Sequence, residues 1–206
     1  MLTVLATAGL AASLLVAPLT ASTSSKAAPI PPNTSFRLAS LNGSGCPADE
    51  QSDPVVTRVG EASLRIKFDG MDASVGPYTD PVDFRKNCLA SIEVSVPDGY
   101  AFTISGAAYA GDAKLEAGLT GTQRASYYIQ GESDTTVRTH PFTGPYSADW
   151  DTLDSFTVED AVWSPCGGQR NINVNTELRI TGSKPKTTNS MSLGPELNFS
   201  FAFRTC

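Results

Sequence analysis

The chain is short of nearly everything that catalysis or nucleic-acid binding requires. It has one histidine, His140, among 206 residues. A serine-hydrolase triad would need that histidine beside a nucleophile elbow, and no G-x-S-x-G stretch is present. The count excludes an imidazole-rich zinc site, and the lack of any C-x-x-C pair excludes a thiolate one. His140 therefore reads as an ordinary loop residue, and no metal or cofactor is expected. Positive charge is also scarce. Fifteen Lys and Arg stand against 21 Asp and Glu, a net charge of −6, and the basic residues are scattered, which excludes a nucleic-acid footprint. Helical periodicity is missing beyond the N-terminal segment, whose apolar run is short for a bilayer span.

That N-terminal segment is informative. Residues 1–21 carry no charge and run from Met1 to Ala17, then Pro18 and Ala21, the pattern of a secretory signal peptide cleaved near Ala21. Residues 22–35, rich in Ser, Ala and Pro, are expected to form a disordered leader or propeptide. Residues 36–206 are expected to form one domain, extracellular and monomeric, with no stable membrane insertion once the signal is removed. The four cysteines, Cys46, Cys88, Cys166 and Cys206, form an even set in an exported chain and imply two disulfides. Three connectivities are open. Closing the two shorter loops favours Cys46–Cys88 with Cys166–Cys206. Sequons at Asn33, Asn42 and Asn198 would carry N-glycans in a host that glycosylates.

Alternation with period two recurs along the remainder. Leu64, Ile66 and Phe68 oppose Arg65 and Lys67; Ala90, Ile92, Val94 and Val96 oppose Ser91, Glu93 and Ser95. Pro97-Asp98-Gly99 reads as a turn that joins this strand to Tyr100–Ile104 as a hairpin. Ala113, Leu115, Ala117 and Leu119 read as one strand face, then Ala125, Tyr127 and Ile129 as another. Ile172, Val174, Thr176, Leu178 and Ile180 oppose Asn171, Asn173, Asn175, Glu177 and Arg179. Leu197, Phe199, Phe201 and Phe203 close the chain. The pattern predicts an all-β fold, a two-sheet antiparallel β-sandwich of jelly-roll type stabilised by disulfides. Residues 132–160, acidic and poorly alternating, read as a large surface excursion.

Candidate chemistry is thin. Glu93, Glu116 and Glu177 fall on polar strand faces, where two carboxylates at glycosidase spacing would define a secreted hydrolase. A glutamic-type peptidase would use Gln130 with Glu132, or Gln123 with Glu116. Asp149, Asp151 and Asp154, followed by Glu159 and Asp160, fail as an EF-hand because Leu153 and Asp154 occupy the positions that need a ligand and a glycine. The better reading is a non-catalytic binding surface. Tyr128 and Trp150, with Tyr146 and Phe142 nearby, would supply flat rings, and Asn171, Asn173 and Asn175 an outward row of amides. The expected partner is a cell-wall polysaccharide or an extracellular protein. A secreted hydrolase and a small toxin-like effector are the alternatives.

Eight stretches in order, around the four cysteines, are similar to a family of small exported proteins of filamentous fungi and actinomycetes, domain of unknown function 4360. They are Gly43-Ser-Gly-Cys46-Pro47, Arg85-Lys-Asn-Cys88, Val96-Pro-Asp-Gly99, Gly111-Asp-Ala-Lys-Leu-Glu-Ala-Gly118, Gln123-Arg-Ala-Ser-Tyr-Tyr-Ile-Gln-Gly131, Phe142-Thr-Gly-Pro145, Val162-Trp-Ser-Pro-Cys-Gly-Gly168 and Arg204-Thr-Cys206. The resemblance implies secretion, two disulfides and a β-rich fold. It carries no activity, so no residue inherits a catalytic role.

Overall fold

The computed structural model describes residues 29–47 and 54–206. The expected signal peptide and residues 22–28 of the expected leader lie outside the described residues. Twelve strands follow one another, with no helix among the described residues: β1 (Ser35–Asn42), β2 (Val55–Gly60), β3 (Ser63–Lys67), β4 (Met71–Val75), β5 (Arg85–Val96), β6 (Tyr100–Leu115), β7 (Leu119–Ile129), β8 (Thr135–Thr143), β9 (Tyr146–Ser155), β10 (Gly168–Gly182), β11 (Asn189–Leu193) and β12 (Glu196–Thr205). They form two antiparallel sheets. The smaller has the order β1-β5-β10-β7-β8; the larger runs β2-β3-β12-β6-β11-β4, with β9 added along β6.

The alternating apolar positions face one another between the sheets. Ile92, Ile172, Ile129 and Leu178 of the smaller sheet are fully buried, as are Phe102, Ile66, Phe199 and Phe203 of the larger. This is the sandwich that period-two patterning predicts. In β6 the pattern changes phase. Its partners on β12 jump from Gly106 to Ile104 between Ser200 and Phe201, so the extra residue at Ser105 moves the inward set from Phe102 and Ile104 to Ala107 and Tyr109.

Three expectations are corrected. Pro97-Asp98-Gly99 does turn the chain, with Gly99 at φ +82° and Tyr100 N–H donating to Pro97 O at 3.3 Å. It does not make a hairpin, because β5 pairs with β1 and β10 whereas β6 pairs with β12, β9 and β11. The turn carries the chain from one layer to the other, since both strands already have partners on their own sheets. The 113–119 run is likewise not one strand: Glu116 to Gly118 is a second crossing, with Gly118 at φ +87°, and Leu119 begins β7. The supposed surface excursion 132–160 contains β8 and β9, joined through a cis Gly144–Pro145 peptide. Their inward side chains include Arg138, His140, Thr152 and Asp154, so alternation is present but not apolar.

The disulfides pair Cys46 with Cys88 and Cys166 with Cys206, at Cα separations of 5.4 and 6.2 Å, within normal bridge geometry. The first ties the end of β1 to β5. The second ties the segment before β10 to the C-terminus.

Candidate functional site

The proposed aromatic and amide surface does not assemble as expected. Trp150 is 4% exposed and packs inside the sandwich 5.3 Å from the Phe142 ring, because β9 is a strand whose even positions turn inward. Tyr128, Asn171, Asn173 and Asn175 do share the outer face of the smaller sheet, Asn173 standing directly opposite Tyr128. That face is largely self-satisfied. Asn171 donates to Ser91 at 3.1 Å, Asn87 donates to Asn175 at 3.1 Å, and Asn173 is buried among its neighbours.

The strand carboxylates also have structural partners. Glu93 receives a two-pronged bond from Arg37 at 3.0 and 2.5 Å, and that guanidinium holds its carboxyl below the usual range. Glu177 is buried and takes Arg85 at 2.7 Å. Glu116 caps the segment before β11, accepting from the Thr187 hydroxyl and from the backbone N–H of Lys186 and Thr187; these bonds lower its carboxyl as well. Gln123 is fully buried and receives Thr152 Oγ1 at 3.2 Å, while Gln130 and Glu132 are exposed on a turn. Asp149 and Asp151 point outward and Asp154 inward, so the acidic triplet cannot converge on one ion.

His140 is not a loop residue. It lies on β8 and its Nε2 is 2.6 Å from Oδ1 of Asp154 on β9, whose side chain is wholly enclosed. The Tyr127 hydroxyl donates to the other oxygen of Asp154, and Tyr109 and Tyr127 share a bond of 2.8 Å. Burial, followed by the neighbouring phenol and carboxylate, pushes the Tyr127 hydroxyl far up; burial does the same to Tyr109. This chain closes one lateral seam of the sandwich. Arg138 continues it, reaching Ser155 O and Asp160 at 3.4 and 3.2 Å and lying 4.8 Å over the Phe156 ring. Its partners are those of a buried polar network.

A concave surface lies on the outer face of the larger sheet. There β6 presents Gly106, Ala108 and Ala110, side chains too small to fill the space between β9 and β12. A trough results, with a volume of about 460 Å³ that continues into one of about 220 Å³. Asp151 and Leu153 of β9 form one wall; Glu196 and Asn198 of β12 form the other. Three outward positions on β6 make it ~13 Å long, and two strand spacings make it ~10 Å wide. Leu153 is 68% exposed. Arg65 donates to Asn198 Oδ1 at 3.0 Å, leaving the amide NH₂ for a ligand, and Glu196 is held by Arg65 and Lys67 at 3.3 and 3.4 Å. Beyond Ala110, Asp149, Asp112 and Asp72 lie in one row across β9, β6 and β4, with Ser192 of β11 between the last two. Burial and the charge of Asp112 raise the carboxyl of Asp72.

Strand alternation alone did not disclose this site, although the run Gly106-Ala-Ala-Tyr-Ala-Gly111 is its trace in the sequence. Of the sequons, Asn33 and Asn42 are exposed, whereas Asn198 stands half-buried in the trough wall.

The family model of a domain of unknown function, DUF4360, matches residues 33–206. An uncharacterized secreted protein of Arthroderma benhamiae is 33% identical over 159 residues, covering 76% of this chain and 63% of the relative; the chain thus spans under two thirds of that relative's length. The relative's secretion and the two disulfides agree, and the protein is extracellular. Among solved structures, TmCBM61 in complex with β-1,4-galactotriose is 13% identical with a TM-score of 0.29, covering 83% of this chain and 88% of that one. A family 11 carbohydrate-binding module from Clostridium thermocellum, in complex with a mixed-linked tetrasaccharide, is 8% identical with a TM-score of 0.22, covering 82% and 88%. At these scores no ligand is carried across.

Proposed function

The chain belongs to the DUF4360 family and is secreted, and on that premise we propose that it is a non-catalytic extracellular binding protein that holds a cell-wall polysaccharide chain in the trough along β6. The trough itself is the observation that supports this reading. It is long and narrow, open at the surface, floored by glycine and alanine, and bordered by groups suited to hydroxyls: the Asn198 amide, the Asp151 carboxylate and the ion-paired Glu196. Leu153 offers an apolar wall to the C–H face of a sugar. The acids first considered for hydrolysis are held in structural bonds, so a hydrolase gains no support from them.

The test is depletion of the mature protein from solution by insoluble fungal and plant cell-wall polysaccharides, with soluble sugar measured in the same supernatants. Depletion without sugar release is expected. Ala108→Trp, which fills the floor, should weaken it at least ~10-fold, and Tyr128→Ala on the opposite sheet should leave it unchanged. Loss on Tyr128→Ala with no effect of Ala108→Trp would move the site to the smaller sheet. Sugar release would replace binding with hydrolysis, and no depletion by any polysaccharide would end the proposal.

A further inference from the structure

The two lateral seams of the sandwich are built differently. The β8–β9 seam is closed by the His140–Asp154 contact, by Arg138 and by the Phe142–Trp150 packing. At the opposite seam β1 and β2 are the sheet edges, and among the described residues no hydrogen bond or ion pair joins them. Arg58 of β2 lies 5.5 Å over the Phe36 ring of β1. A cleft of about 620 Å³ opens there between the sheets, within the usual range for small-molecule sites.

Its lining follows from strand parity. Phe36 and Leu38 of β1 and Val56 of β2 turn toward the interior but remain partly exposed, and Leu64 of β3 closes the bottom. The Arg58 guanidinium stands at the mouth, whereas Arg37, of opposite parity to Phe36 and Leu38, turns to the outer face of the smaller sheet. The charge of Arg37 is met by Glu93. Arg58 bonds only to the carbonyls of Gly60 and Glu61 and is in no ion pair among the described residues. A cleft with an apolar strip along Phe36, Leu38, Val56 and Leu64, and at its rim a cation in no ion pair among the described residues, complements one kind of occupant.

We propose that the β1–β2 cleft binds a single-chain amphiphile with a carboxylate head, an unbranched fatty acid, with its tail along Phe36, Leu38, Val56 and Leu64 and its head at Arg58. Phe36, Leu38, Val56 and Leu64 give the tail an apolar strip, and Thr34 and Ser35 line the cleft beside it. The head would give Arg58, in no ion pair among the described residues, a charge-assisted bond. The cleft opens between the sheets and the β6 trough on the outer face of the larger one, with Leu64 of β3 bordering both.

Titration calorimetry of the mature protein with decanoate below its micellar range tests this, with decanol as the uncharged comparison. Saturable decanoate binding near ~100 µM is expected, the range within reach of about a dozen non-hydrogen atoms. Arg58→Gln should weaken decanoate ~10-fold or more and leave decanol unchanged. Val56→Trp, which fills the slot, should abolish both; Leu38→Trp serves the same purpose if Val56→Trp does not fold. Ala108→Trp in the trough should have no effect. No saturable binding of decanoate, binding that ignores both Arg58→Gln and the filling variants, or decanol binding as tightly as decanoate would each overturn the proposal. Self-association of Arg58→Gln with decanoate affinity intact would also overturn it, assigning Arg58 instead to guarding an edge strand.

Discussion

Removing His140 should damage the fold more than its partial exposure suggests. Its side chain is 29% exposed, but the Asp154 carboxylate it meets is 0% exposed. Replacing His140 with Ala leaves that carboxylate in the interior with the Tyr127 hydroxyl as its remaining partner. Breaking a buried pair from one side costs about 3–5 kcal/mol, because the surviving group keeps its desolvation penalty. Removing both partners with apolar replacements of similar shape is far less costly. We therefore expect His140→Ala to destabilise by ~3–5 kcal/mol, and the double variant His140→Ala/Asp154→Leu to recover at least ~1.5 kcal/mol of that loss. For a chain of this size the single change lowers Tm by roughly 6–20 °C. Urea unfolding of the four proteins of the cycle at neutral pH, with disulfides intact and m values compared, supplies the numbers. A His140→Ala cost below ~1 kcal/mol, or a double variant no more stable than the single, would refute the claim that a buried carboxylate depends on this histidine.

The buried phenols give a pH signature. Tyr109 and Tyr127 are pushed above their ordinary value of 10.0, so the folded state retains protons that the unfolded chain releases near that pH. Their contribution is complete below pH 10.0 and is lost as pH rises above it. Absorbance at the phenolate band should show a late step coincident with alkaline unfolding, which Tyr109→Phe and Tyr127→Phe reduce; full ionisation before any loss of structure would contradict the burial. Each disulfide closes a loop of about 40 residues (separations 42 and 40) and should stabilise by about 4 kcal/mol on chain-entropy grounds, so Cys46→Ser/Cys88→Ser should lower the denaturation midpoint accordingly, and an unchanged midpoint would count against it. An N-glycan on Asn198 would occupy the trough wall. Protein glycosylated there, identified by peptide mapping, should be depleted by polysaccharide more weakly than the same protein after glycan removal, and equal depletion would place the ligand elsewhere.

The period-two pattern located β3, β5, β7, β10 and β12, and the Leu197, Phe199, Phe201, Phe203 series is as buried as its alternation requires. The loop lengths also favoured the disulfide pairing that the structure contains. What the pattern could not carry was partnership. A turn such as Pro97-Asp98-Gly99 serves a hairpin and a crossing between layers equally well, and the choice depends on which strands from elsewhere in the chain have taken the free edges. Polarity misled in the same way at β8 and β9. Arg138, His140, Thr152 and Asp154 are tolerated inside because each finds a partner on the facing sheet, and such pairing is invisible along the chain.

The binding surface shows the same division. Trp150 is a large aromatic in a polar stretch, and it became core because β9 turned its even positions inward. The trough arose where small residues on β6 fell between taller ones contributed by strands about 45 and 90 residues further along the chain. Local propensity and hydrophobic period act within a few residues, and so compartment, covalent framework and the most regularly alternating strands were readable from the chain alone. The depth of a groove and the burial of a carboxylate depend on neighbours brought together only by folding, and the tertiary structure decided both.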